Sequence, residues 1–237
     1  MYGSAFCRIY NEFGWNVYPE VLAEQLWEWL SRRSAGVKTA LDLGCGTGVL
    51  CGALRAHGVR AAGADLSEGM IAIARERFPD CAFAVADMTR YAPAGPFDLV
   101  TCTGDALNHL FSPEDVAKVF RNVYGYLSEG GYFVFDLLRE SEIPSGEPFE
   151  LEYSDTVRAV FRSDRDGEGT VRLHVEVYEI GVRTVSEEIR EKLHDPETVC
   201  NLLRRAGFEV LQCADRLLPE AAHGTTWFIA ARKPLSR

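Results

Sequence analysis

The chain has 237 residues, 47% hydrophobic and 25% charged, enough to bury the core of one large domain or of one domain with an insertion. A formal net charge of −10 with scattered Lys and Arg offers no basic face for nucleic acid. No apolar run of about 18 residues and no signal-peptide pattern is present, so no membrane partner is expected and the protein reads as cytoplasmic.

Cys7, Cys45, Cys51, Cys81, Cys102, Cys200 and Cys213 are odd in number and include no C-x-x-C pair. That excludes a disulfide framework and a zinc site, and no metal is expected. Most of the seven read as buried small hydrophobes.

From Pro19, "PEVLAEQLWEWLSRR" predicts a helix with Val21, Leu22, Leu26 and Leu30 on one face. "KTALDLGC" reads as a buried strand, and "GVLCGALRAHG" as a helix closed by Gly58. "VRAAGADL" is a second strand, followed by a helix capped by Ser67 with Met70, Ile71, Ala74 and Phe78 on one face. "CAFAVAD" and "FDLVTCTG" are third and fourth strands. Ser112, Pro113 and Asp115 open a helix that Gly130-Gly131 should end, and "GYFVFDL" is a fifth strand. Strands alternating with helices predict a doubly wound α/β fold around a parallel sheet.

After Leu138 the pattern changes. Val171, Leu173, Val175 and Val177 alternate with Arg172, His174, Glu176 and Tyr178, and "DRDGEG" reads as a hairpin turn. About three antiparallel strands are expected there as an insert. Asp195, Pro196 and Gly207 then frame another helix, and "FEVLQCADRL" and "TWFIAARK" supply two final strands. The expected domains are a helical lid segment over 1–36, a main domain over 37–145 and 192–237, and an antiparallel β insert over 146–191.

Asp42-Leu43-Gly44-Cys45-Gly46-Thr47-Gly48 lies between a strand and a helix, where a nucleotide-binding loop belongs. The dinucleotide pattern G-x-G-x-x-G requires glycine where this chain has Val49; its glycine comes one residue early, at Gly48. The acid at Asp42 suits a ligand with a positive charge better than a pyrophosphate. Asp65 and Asp87 end the next two strands, at the sheet edge that faces ligands. Asp65 can accept bonds from two ribose hydroxyls, and its charge disfavours a 2′-phosphate. Asp87 can bond an adenine amino group while Met88 packs on the ring. Capping and loop solvation are the competing roles for both acids.

"LDLGCGTG", "GADLSEGM", "VADM" and "FDLVTCTGDALNHL", in that order, resemble the class I S-adenosylmethionine-dependent methyltransferases over residues 38–138. The resemblance implies a seven-stranded Rossmann-like sheet ending in an antiparallel hairpin. It implies S-adenosyl-L-methionine as cofactor and S-adenosyl-L-homocysteine as product. It sets Gly44, Cys45 and Gly46 against the methionine part, and Asp65 on the ribose with Leu66 on the adenine. Asp87 and Met88 would take the adenine, and Thr103 would border the sulfonium. "FCRIYNEFGWNVY" resembles the aromatic lid of small-molecule members, with Tyr10 as the covering tyrosine ahead of Tyr2, Trp15 and Tyr18; packing of the first helix is the alternative. An insert after the fifth strand resembles members that methylate amines of small metabolites, where it overlies the active site or builds a dimer interface. A homodimer through the insert is therefore open.

Methyl transfer needs alignment first, and a base only where the nucleophile must lose a proton. Asp105, Asn108 and His109 leave the fourth strand beside the expected sulfonium, and His109 is the candidate base, with packing against the following helix as its alternative. His174 and Tyr178 in the insert face either way, whereas His57, His194 and His223 read as surface residues. The expected activity is methyl transfer to an amine or hydroxyl of a small metabolite. The competing expectations are an NAD-dependent oxidoreductase and a non-catalytic S-adenosylmethionine-binding regulator.

Overall fold

Two helices precede the sheet in this computed structural model, which describes residues 3–12, 14–15, 17–139, 148–221 and 226–236. α1 spans Ser4–Ile9 and α2 spans Val17–Ser31. The buried face of α2 is Leu22, Ala23, Leu26, Trp29 and Leu30, whereas Val21 is 52% exposed. The expected Val21 stripe is thus corrected by one position. Trp29 joins the buried face, its rings filling the core while its indole donates to Gln212 Oε1 at 2.9 Å.

β1 (Thr39–Leu43), β2 (Arg60–Asp65), β3 (Ala82–Val85), β4 (Phe97–Cys102) and β5 (Leu127–Leu138) pair in parallel. Three helices cross between them: α3 (Val49–Ala56), α4 (Glu68–Arg77) and α5 (Pro113–Tyr126). Their ends follow local chemistry. Ser67 Oγ accepts from the Met70 amide and Ser112 Oγ from the Asp115 amide, each satisfying an orphan donor of the first turn.

Gly130-Gly131 do not end α5. The helix stops at Tyr126 and β5 begins at once; Phe97 pairs with Leu127 but Leu99 with Tyr132, so the glycines sit in a bulge inside the strand.

β6 (Phe149–Ser154), β7 (Val157–Arg165), β8 (Thr170–Glu179) and β9 (Val182–Lys192) form a separate antiparallel sheet of four strands, one more than expected. α6 (Pro196–Arg205), capped by Asp195, leads to β10 (Glu209–Ala214) and β11 (Thr226–Arg232). β11 runs antiparallel to both β5 and β10, giving the seven-stranded order β10-β11-β5-β4-β1-β2-β3.

One core cluster joins α2, α3 and α4 to one face of the sheet, and a second, rich in Phe120, Phe133, Phe135 and Leu203, joins α5 and α6 to the other. A third joins Phe6 and Ile9 of α1 to Phe161, Val175, Val177 and Val185 of the insert. Six of the seven cysteines are buried, and only Cys213 is exposed.

Candidate active site

A cavity of about 380 Å³ opens at the carboxyl ends of β1, β2 and β4. Tyr10, Asp42, Gly44, Cys45, Gly46, Asp65, Leu66, Asp87, Met88, Thr103 and His109 all line it, whereas Asp105 and Asn108, also singled out in the sequence, do not.

The loop after β1 is tied to β2 by the Gly44 and Cys45 amides, which donate to the Ala64 carbonyl at 2.7 and 3.1 Å. Asp65 then fixes the turn from both oxygens: Oδ2 accepts from the Gly46 amide at 2.9 Å and Oδ1 from the Ser67 amide at 2.8 Å. Gly44 has φ +71°, and a Cβ there would lie 2.5 Å from Ala106 Cβ. Gly46 has φ +50°, and a Cβ there would meet no protein atom within 4 Å. One glycine is needed for close packing and the other leaves backbone open to the cavity.

Asp42 is buried, with Thr101 Oγ1 donating to its Oδ1 at 2.7 Å. Burial, helped by the charges of Asp65 and Asp136, pushes its carboxyl up to about 7 against the opposing Thr101 bond. Asp87 Oδ1 accepts from the Thr89 amide and hydroxyl at 2.8 and 2.7 Å, a local turn that fixes the carboxyl at the cavity rim. Leu66 is 51% exposed and Met88 half-buried, an apolar pair on the same wall. The charge, polarity and volume of this cradle fit S-adenosylmethionine.

The N-terminal side of the cavity is aromatic, lined by Tyr10, Trp15 and Tyr18. Tyr10 and Trp15 meet edge to face at 5.2 Å, and Trp15 meets Phe161 of the insert at 6.2 Å. Thr47 Oγ1 donates to Asn11 Oδ1 at 2.9 Å, pinning this segment onto the glycine loop. Tyr18 also lines the cavity, and its hydroxyl donates to Asp136 Oδ2. Tyr2 and His223 lie outside the described residues.

Asp136 was not singled out in the sequence, although a lone acid inside the apolar run "GYFVFDL" is a visible signal. Besides Tyr18 it accepts the Gly104 and Asp105 amides, each at 3.0 Å. These bonds hold Asp105 in the left-handed region at φ +60°. The Asp105 Oδ1 atom is buried without a hydrogen-bond partner, and burial, Asp136 and Glu191 hold its carboxyl well above the usual range.

Asn108 is a strut. Its Nδ2 donates to the Lys192 carbonyl at 2.7 Å, and its Oδ1 accepts from the Leu138 amide at 3.1 Å. Asn108→Ala strands both buried groups and is expected to cost about 2–4 kcal/mol in urea unfolding.

His109 Nδ1 lies 3.1 Å from the Arg190 carbonyl, which can only accept, so this nitrogen carries the proton of the neutral ring. Burial lowers the imidazole's pKa.

His174 and Tyr178 do not line the cavity. His174 faces Asp164 and Glu188, and Tyr178 bonds Glu176 beneath Arg158. Two histidines expected at the surface are half-buried. His57 stacks on Trp27 at 4.5 Å, and His194 Nε2 reaches the Leu110 carbonyl at 2.9 Å; a ring that finds an aromatic or carbonyl partner is drawn in from solvent. Among the described residues, no cluster of His, Cys, Asp or Glu could hold a metal, and no helix is long and apolar enough to cross a membrane.

A glycine loop braced by the acid of the next strand, in a seven-stranded sheet with an antiparallel last hairpin, is the arrangement that the resemblance to class I S-adenosylmethionine-dependent methyltransferases implied. Residues 40–131 match the family described as "Methyltransferase domain".

A protein named as a methyltransferase of Geobacillus sp. (strain WCH70) is 32% identical over 134 residues, covering 55% of this chain and 53% of that protein. A dTDP-4-amino-2,3,4,6-tetradeoxy-D-glucose N,N-dimethyltransferase of Saccharopolyspora spinosa is 31% identical over 99 residues, covering 42% of this chain and 40% of that one. The chain thus spans about half the length of the first of these curated relatives and less of the second. The fold is similar along nearly the whole chain to a solved S-adenosylmethionine-bound amino pentose methyltransferase from Micromonospora echinaspora. That likeness has a TM-score of 0.78 and 21% identity, and it covers 98% of each chain.

Proposed function

We propose that the protein transfers a methyl group from S-adenosylmethionine to an amine or hydroxyl of a small metabolite, with an amine as the favoured acceptor. The observation that carries this reading is the cavity, in which glycine loop, strand-end acids and aromatic lid converge. The amine preference is supported by the acidic surroundings of Asp105, and by the amino-sugar substrates in the names of two similar proteins.

When bound, the cofactor supplies an electrophilic methyl group on a positively charged sulfur. Asp42 meets its ammonium, and the loop from Gly44 to Gly46 lies along its methionine part. Asp65, whose oxygens each keep a lone pair beside the backbone bond already made, takes the ribose hydroxyls. Leu66 and Met88 pack on the adenine, and Asp87 takes its amino group. Thr103 borders the sulfur, and Tyr10 covers the site and excludes water. Nε2 of His109 removes the acceptor's proton. Holding nucleophile and methyl in line supplies roughly 7–11 kcal/mol of the barrier reduction in favourable cases.

Asp42 makes the binding pH-dependent. Its folded pKa of about 7 lies above the unfolded value of roughly 4, so folding favours the proton. The resulting destabilisation is absent below about pH 4 and complete above about pH 7. A cationic ligand requires the ionised form, so S-adenosylhomocysteine affinity should rise about tenfold from pH 6 to pH 8. Calorimetry on the parent and Asp42→Asn checks this, because the variant should lose the dependence.

Transfer of labelled methyl to a panel of amines, amino sugars and phenols tests the reaction. His109→Ala should lower turnover at neutral pH by about 100-fold or more while S-adenosylhomocysteine still binds. Undiminished turnover would remove His109 as the base.

A further inference from the structure

Glu191 belongs to the insert, yet its Oε1 lies 3.9 Å from His109 Nε2. Because His109 Nδ1 is committed to the Arg190 carbonyl, Nε2 bears the lone pair of the neutral ring. Among the described residues, Glu191, Asp105 and Asp136 have no ion pair to a Lys or Arg. Asp105 lies between Gly104 and Ala106, both on the cavity wall, and its Oδ1 is buried without a partner. The charges of Asp105 and Glu191 both bear on the Tyr10 hydroxyl, which joins these carboxyls to the lid side of the same recess. The recess therefore has an excess of acceptors, and Arg190, the one Lys or Arg among the described residues lining the cavity, lies over the Phe111 ring at 5.4 Å.

We propose that Glu191 and His109 together hold the acceptor nitrogen, so that the insert completes the acceptor site and selects an amine over a hydroxyl. Two acceptors 3.9 Å apart, each at a charge-assisted hydrogen-bond distance of about 2.8 Å from one nitrogen, subtend about 90° there. That is near enough to the tetrahedral spacing of ammonium N–H bonds for both bonds to form. A hydroxyl has a single hydrogen and leaves one of the two acceptors unmet. Burial and Asp136 push the Glu191 carboxyl up to about 7, and a cation beside it favours the ionised form.

The ammonium proton passes to His109 Nε2, giving imidazolium and a neutral amine. The nitrogen lone pair then forms the N–C bond as the C–S bond breaks, with its electron pair left on sulfur.

This inference rests on the methyl-transfer reading above. The test uses protein saturated with S-adenosylhomocysteine and three matched probe pairs: glucosamine and glucose, galactosamine and galactose, cyclohexylamine and cyclohexanol. The parent should bind at least one amine tenfold or more tighter than its hydroxyl partner by calorimetry. Glu191→Gln should keep its S-adenosylhomocysteine affinity and lose that preference, and Glu191→Asp should fall between the two. Equal binding of amine and hydroxyl probes by the parent, or an undiminished preference in Glu191→Gln, would overturn the role of Glu191. Failure of S-adenosylhomocysteine itself to bind the parent would instead overturn the cofactor reading, and this inference with it.

Discussion

Asp65→Ala is expected to raise the Kd for S-adenosylhomocysteine by at least about 100-fold, the largest single-residue effect on binding. Asp65 accepts from Gly46 on one side and Ser67 on the other, so it shapes the loop as well as facing the ligand. Hydrogen bonds to a charged group contribute about 1.5–3 kcal/mol each, and the Gly46 amide is left to find water. Losing ligand bonds and loop order together amounts to about 3–4 kcal/mol, or 100- to 1,000-fold. Calorimetric titration reads this directly, and a change of less than tenfold would mean that the ligand does not rest on Asp65.

Asp136→Ala should give the largest loss of stability, about 3–5 kcal/mol, lowering Tm by roughly 10 °C. Its carboxyl is fully buried and accepts from Tyr18, Gly104 and Asp105, so truncation strands three donors at once. The opposing effect is relief of repulsion from Asp105. That relief is one interaction, against three hydrogen bonds made to a fully buried carboxyl. The stranded donors therefore win. Thermal and urea unfolding would show the drop, and a variant as stable as the parent would mean that the three donors find other partners.

The parts of the site that were legible in the sequence are local. Asp42, Gly44 and Gly46 announce themselves because a strand, a glycine loop and a helix follow one another within a few residues. Asp65 and Asp87 can be read because each ends a short apolar strand. The recess is different in kind: Asp105 follows β4, Asp136 lies inside β5 and Glu191 comes from the insert, so only the fold brings them together. β6 escaped the count of strands because it is exposed on both faces over most of its length, and an edge strand without a buried side shows no alternation. Gly130-Gly131 misled for another reason: glycine pairs mark a strand bulge as readily as a helix stop, and only the pairing with β4 distinguishes them.

Parallel calorimetric titrations of the unmodified protein with S-adenosylhomocysteine and with NADH test the central claim most directly. The account predicts one site per chain for S-adenosylhomocysteine, with a Kd of about 1–100 μM, and no heat with NADH. Saturable binding of NADH without binding of S-adenosylhomocysteine at millimolar concentration would contradict it.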